Sequence, residues 1–146
     1  EETFIRLLMA NKELRLIALL KISEEDFLIN DSKEIFNLII KNKELDKITI
    51  DKIKSLNISE EYLKDLDNIS LNSINTYDSK NVDEIIRNVK RNNYHKKIEQ
   101  LIQQQKKLEQ SLNDKSIDKD TMKEVELEIM NITLKIIDIQ KSLKSL

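Results

Sequence analysis

Apolar residues recur through positions 121–146 at Met122, Val125, Ile129, Ile132, Ile136, Ile139, Leu143 and Leu146. The steps alternate between three and four, the spacing of a helix that buries one continuous seam. A second row, Leu127, Met130, Leu134 and Ile137, follows the same rhythm two residues out of phase. Two residues along an α-helix turn it by roughly 200°, so this row lies nearly opposite the seam. One neighbouring helix can cover only one of these faces, and the other needs a different partner.

The upstream pattern predicts a series of shorter helices. Phe4, Ile5, Leu7, Leu8 and Met9 form one apolar group, Asn11 interrupts it, and Leu14, Ile17, Ala18 and Leu20 resume it. Ser23 ahead of Glu24, Glu25 and Asp26 suits a helix start, with acids where the helix dipole favours them. Phe27 and Leu28 then give a short turn its apolar side. Asp31 or Ser32 is the expected cap of the next helix, whose Ile35, Phe36, Leu38, Ile39 and Ile40 are expected to be buried. A shorter segment carries Ile50, Ile53, Leu56 and Ile58. Ser59, Glu60 and Glu61 repeat the Ser-Glu-Glu start and open a helix through Tyr62, Leu63 and Leu66. Residues 68–80 are rich in Asn, Ser, Thr and Asp and read as a loop, with Ile69, Leu71 and Ile74 as anchors.

Asn81 and Glu84 have capping-box spacing, and a long helix follows, expected to reach Leu112. Val82, Ile85, Ile86 and Val89 serve its first part, and Tyr94, Ile98, Leu101, Gln105, Leu108 and Leu112 form a seam on its second. Asn92 and Asn93, poor helix formers, lie between the two parts. A polar connection over 113–119 leads to a second capping box, expected at Thr121 to Glu124. Two long seams joined by a short polar turn make an antiparallel helical hairpin. Gln105, a polar residue within the first seam, is expected either to fix its register or to sit at a wet edge. The fold expected is all-α: a helical bundle over 1–93, joined by the long helix to a hairpin over 94–146.

Composition sharpens this picture. The 146 residues include no Gly, Pro or Cys. Without Gly and Pro the tight turns of sheets and hairpins lose their usual residues, and Gly-rich phosphate loops and nucleophile elbows are excluded. Without Cys there is neither a disulfide framework nor a thiolate metal site, which fits a reducing compartment, the cytoplasm being the expectation. Charged residues make up 36% of the chain, yet the net charge is only −2, unlike a dedicated nucleic-acid binder. No apolar run is long enough to span a membrane. The start at Glu1, without Met, is read as that of a fragment of a longer protein.

Candidate chemistry is sparse. Asp65 with Asp67 and Asp118 with Asp120 are acid pairs that read as helix ends and caps, since Mg²⁺ needs more converging oxygens. His95 is the single histidine and has no companion at ligand or catalytic spacing, so it is expected at the surface. No catalytic residue, metal or cofactor is assigned. Arg87, Lys90, Arg91, Lys96 and Lys97 form an acid-free run that could touch a nucleic-acid backbone or an acidic partner, although such runs are usually solvated surface. The row Leu127, Met130, Leu134 and Ile137 is the preferred site. It reads as a docking face for another protein, rimmed by Gln140, Lys141 and Lys144, and the plainer reading is that the bundle folds back over it.

A Phe-Ile-x-Leu-Leu start at Phe4, the turn Ile22-Ser23-Glu24-Glu25-Asp26-Phe27 and the stretch Ile35-Phe36-x-Leu38-Ile39 precede the long helix and hairpin. In that order they resemble the C-terminal, helicase-binding domain of bacterial DNA primases over essentially the whole chain. The resemblance implies a bundle that modulates the replicative helicase and a hairpin that contacts the helicase's N-terminal domains. Priming chemistry in that family resides in a zinc-binding domain and a polymerase domain, neither of which a chain without Cys and Gly can contain. A non-catalytic fragment is therefore expected, and its charge balance leads one to expect weak or absent direct nucleic-acid binding. The N-terminal domain of the replicative helicase itself is a similar bundle plus hairpin. It usually opens with an Ala-Glu-x-x-Val-Leu-Gly-like run, and Phe4 to Ala10 matches the primase version better. A coiled-coil module in which the second row pairs with itself is a further alternative.

Overall fold

The computed structural model describes residues 1–69 and 81–146, and the protein is all-α. In chain order the helices are α1 (Glu2–Ala10), α2 (Lys12–Ala18), α3 (Asn30–Lys41), α4 (Ile50–Ile53), α5 (Glu60–Asp67), α6 (Val82–Leu112) and α7 (Lys119–Lys144). A 3₁₀ turn spans Glu24–Asp26, and no strand occurs among the described residues. At about 1.5 Å per residue, α6 is about 46 Å long. The expected anchors Leu71 and Ile74 lie outside the described residues. The chain divides into two compact units, Glu1–Lys90 and Arg91–Leu146, with the division inside α6.

The first unit is built on apolar faces that the helical period brings together. Phe4, Ile5, Leu8 and Met9 of α1 meet Ile35, Phe36 and Ile39 of α3, Leu66 of α5, and Val82 and Ile86 at the start of α6. Phe27 enters from the 3₁₀ turn and lies between two rings, 6.2 Å from Phe4 and 4.9 Å from Phe36. Aromatic pairs at such separations add to simple area burial. Two assignments need correction. Leu20 is 85% exposed, because α2 ends at Ala18 and the chain turns before position 20 can face the core. Ile40 is 44% exposed, since it points away from the stripe shared by Phe36 and Ile39. Ile48, absent from the expected core, is buried.

A fully buried arginine ties this unit together. The Arg15 guanidinium donates to the carbonyl of Leu8 at 2.6 Å, Met9 at 3.0 Å, Lys43 at 2.9 Å, and also to that of Leu45. Leu8 and Met9 belong to the last turn of α1, whose carbonyls lack helical partners and carry the negative end of the dipole. A cation there fulfils both needs. The Met9 carbonyl also accepts from Ile48 N–H at 2.8 Å, so the loop after α3 is pinned to the same helix end. Burial lowers the Arg15 pKa and nearby Asp46 opposes that effect. Arginine titrates so high that the charge remains at any physiological pH.

Helix starts are where the sequence was hardest to place. Asn11 is both the end of α1 and the cap of α2, its side chain accepting from Leu14 N–H at 3.0 Å. Neither Asp31 nor Ser32 caps α3, which starts earlier, after Ile29. The N–H groups of Leu28 and Ile29, just ahead of α3, donate instead to the Glu1 carboxylate at 2.5 and 3.1 Å. Ser32 is buried and shares a 2.5 Å hydrogen bond with the Tyr62 hydroxyl, whose pKa burial raises. Asp31 accepts from the Ser59 hydroxyl at 2.9 Å, while Ser59 Oγ accepts from Tyr62 N–H at 3.2 Å as the cap of α5. The first turns of α3 and α5 are thus joined by a continuous set of hydrogen bonds. In the 3₁₀ turn, Asp26 accepts from Ser23 N–H at 3.0 Å.

The second unit is the helical hairpin formed by α6 from Arg91 onward and α7. Gln105 Nε2 donates to Thr133 Oγ1 at 2.6 Å, linking the two helices. Gln105 is half-buried and Thr133 exposed, so the polar position in the seam both links the helices and sits at their edge. α7 begins at Lys119 and not at Thr121: its cap is Asp118, which accepts from Thr121 N–H at 2.7 Å. The expected capping box is therefore displaced, because an aspartate at the turn outcompetes the later threonine as an acceptor. The turn itself is closed by Asp114, which accepts from Ser116 N–H at 3.0 Å and its hydroxyl at 2.8 Å.

Candidate protein-docking surface

The geometry of α7 separates its two apolar rows. Val125, Ile129, Ile139, Leu143 and Leu146 are half-buried, and Ile132 and Ile136 are buried at 8% and 9% exposure. Seven of the eight seam positions therefore face inward, as the three-four spacing requires. Met122, the first, is 37% exposed. Counted from the Gln105–Thr133 pair it lies opposite the turn, after α6 has ended at Leu112, so no helix is there to cover it.

The second row is turned outward. Leu127 is 59% exposed, Met130 60%, Leu134 55% and Ile137 40%. Four large apolar side chains on successive turns of one helix face make a continuous strip, unlike the isolated apolar residues common on protein surfaces. Gln140, Lys141 and Lys144 are exposed beyond its C-terminal end. The other end of α7 was not singled out from the sequence: Glu124, Glu126 and Glu128 are exposed there. Lys119 and Lys123 are also exposed at this end, Lys123 one turn before Leu127, so it carries both signs of charge.

The basic run on α6 is differently disposed. Lys90 Nζ lies 3.9 Å from Asp26, with both side chains largely shielded. Lys97 sits 6.0 Å from the Tyr94 ring centroid, a cation–π separation. Arg91 and Lys97 both have intramolecular partners. Arg87 and Lys96 are exposed, and Arg87 contributes to lowering the Asp83 pKa, behind the larger effect of Lys21 bonded to that carboxylate. Three of the five cations of the run thus have contacts within the chain.

His95 is exposed on α6. Asp118 serves as the cap already described, and Asp67 ends α5. Among the described residues no group of three or more His, Asp or Glu side chains could hold a metal ion. No helix among them is long and apolar enough to cross a membrane. The chain matches no protein-family model, no curated protein and no solved structure.

Proposed function

We propose that this chain is a protein-docking module, the helicase-interaction domain of a bacterial DNA primase, and that the outward row of α7 is its docking face. The observation that carries the reading is the exposure of Leu127, Met130, Leu134 and Ile137 in one strip. A strip of this kind suits helix-on-helix or helix-in-groove recognition, in which residues at three-four spacing supply the anchors. Gln140, Lys141 and Lys144 form the polar rim, where charges guide encounter and orientation more than they add affinity. The primase assignment rests on the resemblance in residue order, and the partner it implies is the set of N-terminal domains of the hexameric replicative helicase. The fragment has a tethering role: it holds primer synthesis at the unwinding fork and catalyses nothing itself.

Mixing the protein with a bacterial hexameric helicase is expected to give a complex that elutes early in size exclusion. Replacing Leu134 and Ile137 together by Asp is expected to abolish that complex and leave the circular-dichroism helix signal unchanged, because neither side chain belongs to the buried seam. Normal binding by this variant would rule out the row as the docking face. The same strip also suits pairing with a second copy, as in a coiled-coil module. Sedimentation of the protein alone separates the two: the docking reading expects a monomer at micromolar concentration, the self-pairing reading a stable dimer.

A further inference from the structure

The outward row of α7 continues beyond its apolar residues. Followed in both directions at the same three-four spacing, it reaches Lys123 before Leu127, and Lys141 and then Lys144 after Ile137. All three lysines lie within α7 and are exposed. At about 100° per residue, Lys123 and Lys141 fall on the centre line of the strip. The positions that would lengthen the strip by a turn at either end are therefore cationic. Glu126 and Asp138, also exposed, border the strip at about 60° from that line, one on each side. Among the described residues no ion pair involves α7, so no partner within the chain holds these charges.

This arrangement is unfavourable to a second copy of the chain. Two parallel copies in register would set Lys123 on Lys123 and Lys141 on Lys141. Two antiparallel copies centred on the strip would set Lys123 opposite Lys141 and Glu126 opposite Asp138, because the members of each pair lie equally far from its midpoint. Like charges facing one another across a helix pair oppose association. A lipid surface fits no better. Helices that lie on membranes have basic residues beside their apolar face, and here the bordering residues Glu126 and Asp138 are acidic.

We propose that the strip takes an amphipathic helix of another protein whose own apolar row is closed at each end by a carboxylate in line with it. Leu127, Met130, Leu134 and Ile137 meet the apolar row, and Lys123, Lys141 and Lys144 meet the carboxylates. The proposal rests on the reading of this row as a docking face and supplies the chemistry of what docks there. Lysine suits the two ends because its apolar stem extends the strip while its ammonium group reaches past it. The end charges also fix the register, since a slip along the helix would lay a carboxylate against apolar side chains.

Fluorescence anisotropy of labelled peptides mixed with the full chain tests the proposal. Two synthetic amphipathic helices share a leucine row at the spacing of the strip and differ only in the in-line residue at each end, Glu in one and Lys in the other. The Glu-ended peptide is expected to bind about tenfold more tightly or better, as several charge contacts change from repulsion to attraction. That ratio is expected to shrink as salt is raised. The double variant Lys123→Glu, Lys141→Glu is expected to invert the preference. Equal affinity for the two peptides, binding of neither, or a preference unchanged in the double variant overturns the proposal. So does a stable dimer of the chain alone, or saturable binding to phosphatidylcholine–phosphatidylglycerol vesicles that the Leu134 and Ile137 double Asp variant loses, since each gives the strip another occupant. The same Asp variant separates this proposal from the docking reading. If it loses both peptides while the unaltered chain binds them equally, the row is a docking face and only the charge assignment falls. If it binds them as the unaltered chain does, the docking face falls as well.

Discussion

Arg15 shows how much a single residue can decide. In the sequence it is one basic position among twenty-five, on a short helix whose neighbours are apolar. In the fold it is fully buried and donates to four main-chain carbonyls from two segments distant in the chain. Replacing it with Met preserves most of the volume but strands the buried Leu8 carbonyl and takes one of the two donors from that of Met9. Each buried unsatisfied group costs about 1–3 kcal/mol. Arg15→Met is therefore expected to lower unfolding stability in urea by about 3 kcal/mol, and a loss well under 1 kcal/mol would show that these bonds contribute little. Leu20 and Ile40 make the opposite point. Both are large and apolar, yet their positions beyond a helix end or off the shared stripe leave them in solvent.

At the level of elements, the two rows of α7 predict two kinds of variant. Ile136 is buried in the hairpin seam and Leu134 is exposed in the strip, although they are two residues apart on one helix. Ile136→Ala removes buried methyl groups and is expected to destabilise the hairpin by about 2–4 kcal/mol. Leu134→Ala is expected to stay within about 0.5 kcal/mol, as exposed substitutions do. Comparable losses at the two sites, measured by thermal unfolding, would mean that the strip is covered. The hairpin turn also has an expected pH signature. Hydrogen bonds from Thr121 lower the Asp118 pKa, and those from Ser116 lower that of Asp114. A carboxylate depressed in the folded state stabilises that state above its ordinary value near 3.8. That contribution is lost as pH falls through the lower folded values. The amide signals of Ser116 and Thr121 should therefore move together only below about pH 4. Movement near neutral pH would contradict the two caps.

For the molecule as a whole, the functional reading depends on what the strip meets. The net charge of −2 gives little reason for long-range attraction to a polyanion. A strip of four exposed apolar side chains is better suited to a protein surface. Loss of the helicase complex in the Leu134 and Ile137 double variant, with helicity retained, is the outcome that reading requires.

The helices of this protein follow from its sequence with little ambiguity, because a three-four apolar period and the absence of Gly and Pro leave no competing regular structure. The same period distinguished the seam of α7 from the row opposite, since rotation along a helix is fixed by its geometry. What the sequence did not determine depends on residues distant in the chain. Glu1 serves the start of α3, Asp31 serves Ser59, and Arg15 closes α1 against the 43–45 loop. Local pattern records which face of a helix is apolar. Only tertiary packing decides which polar groups lose their water, and so which of them must find a partner.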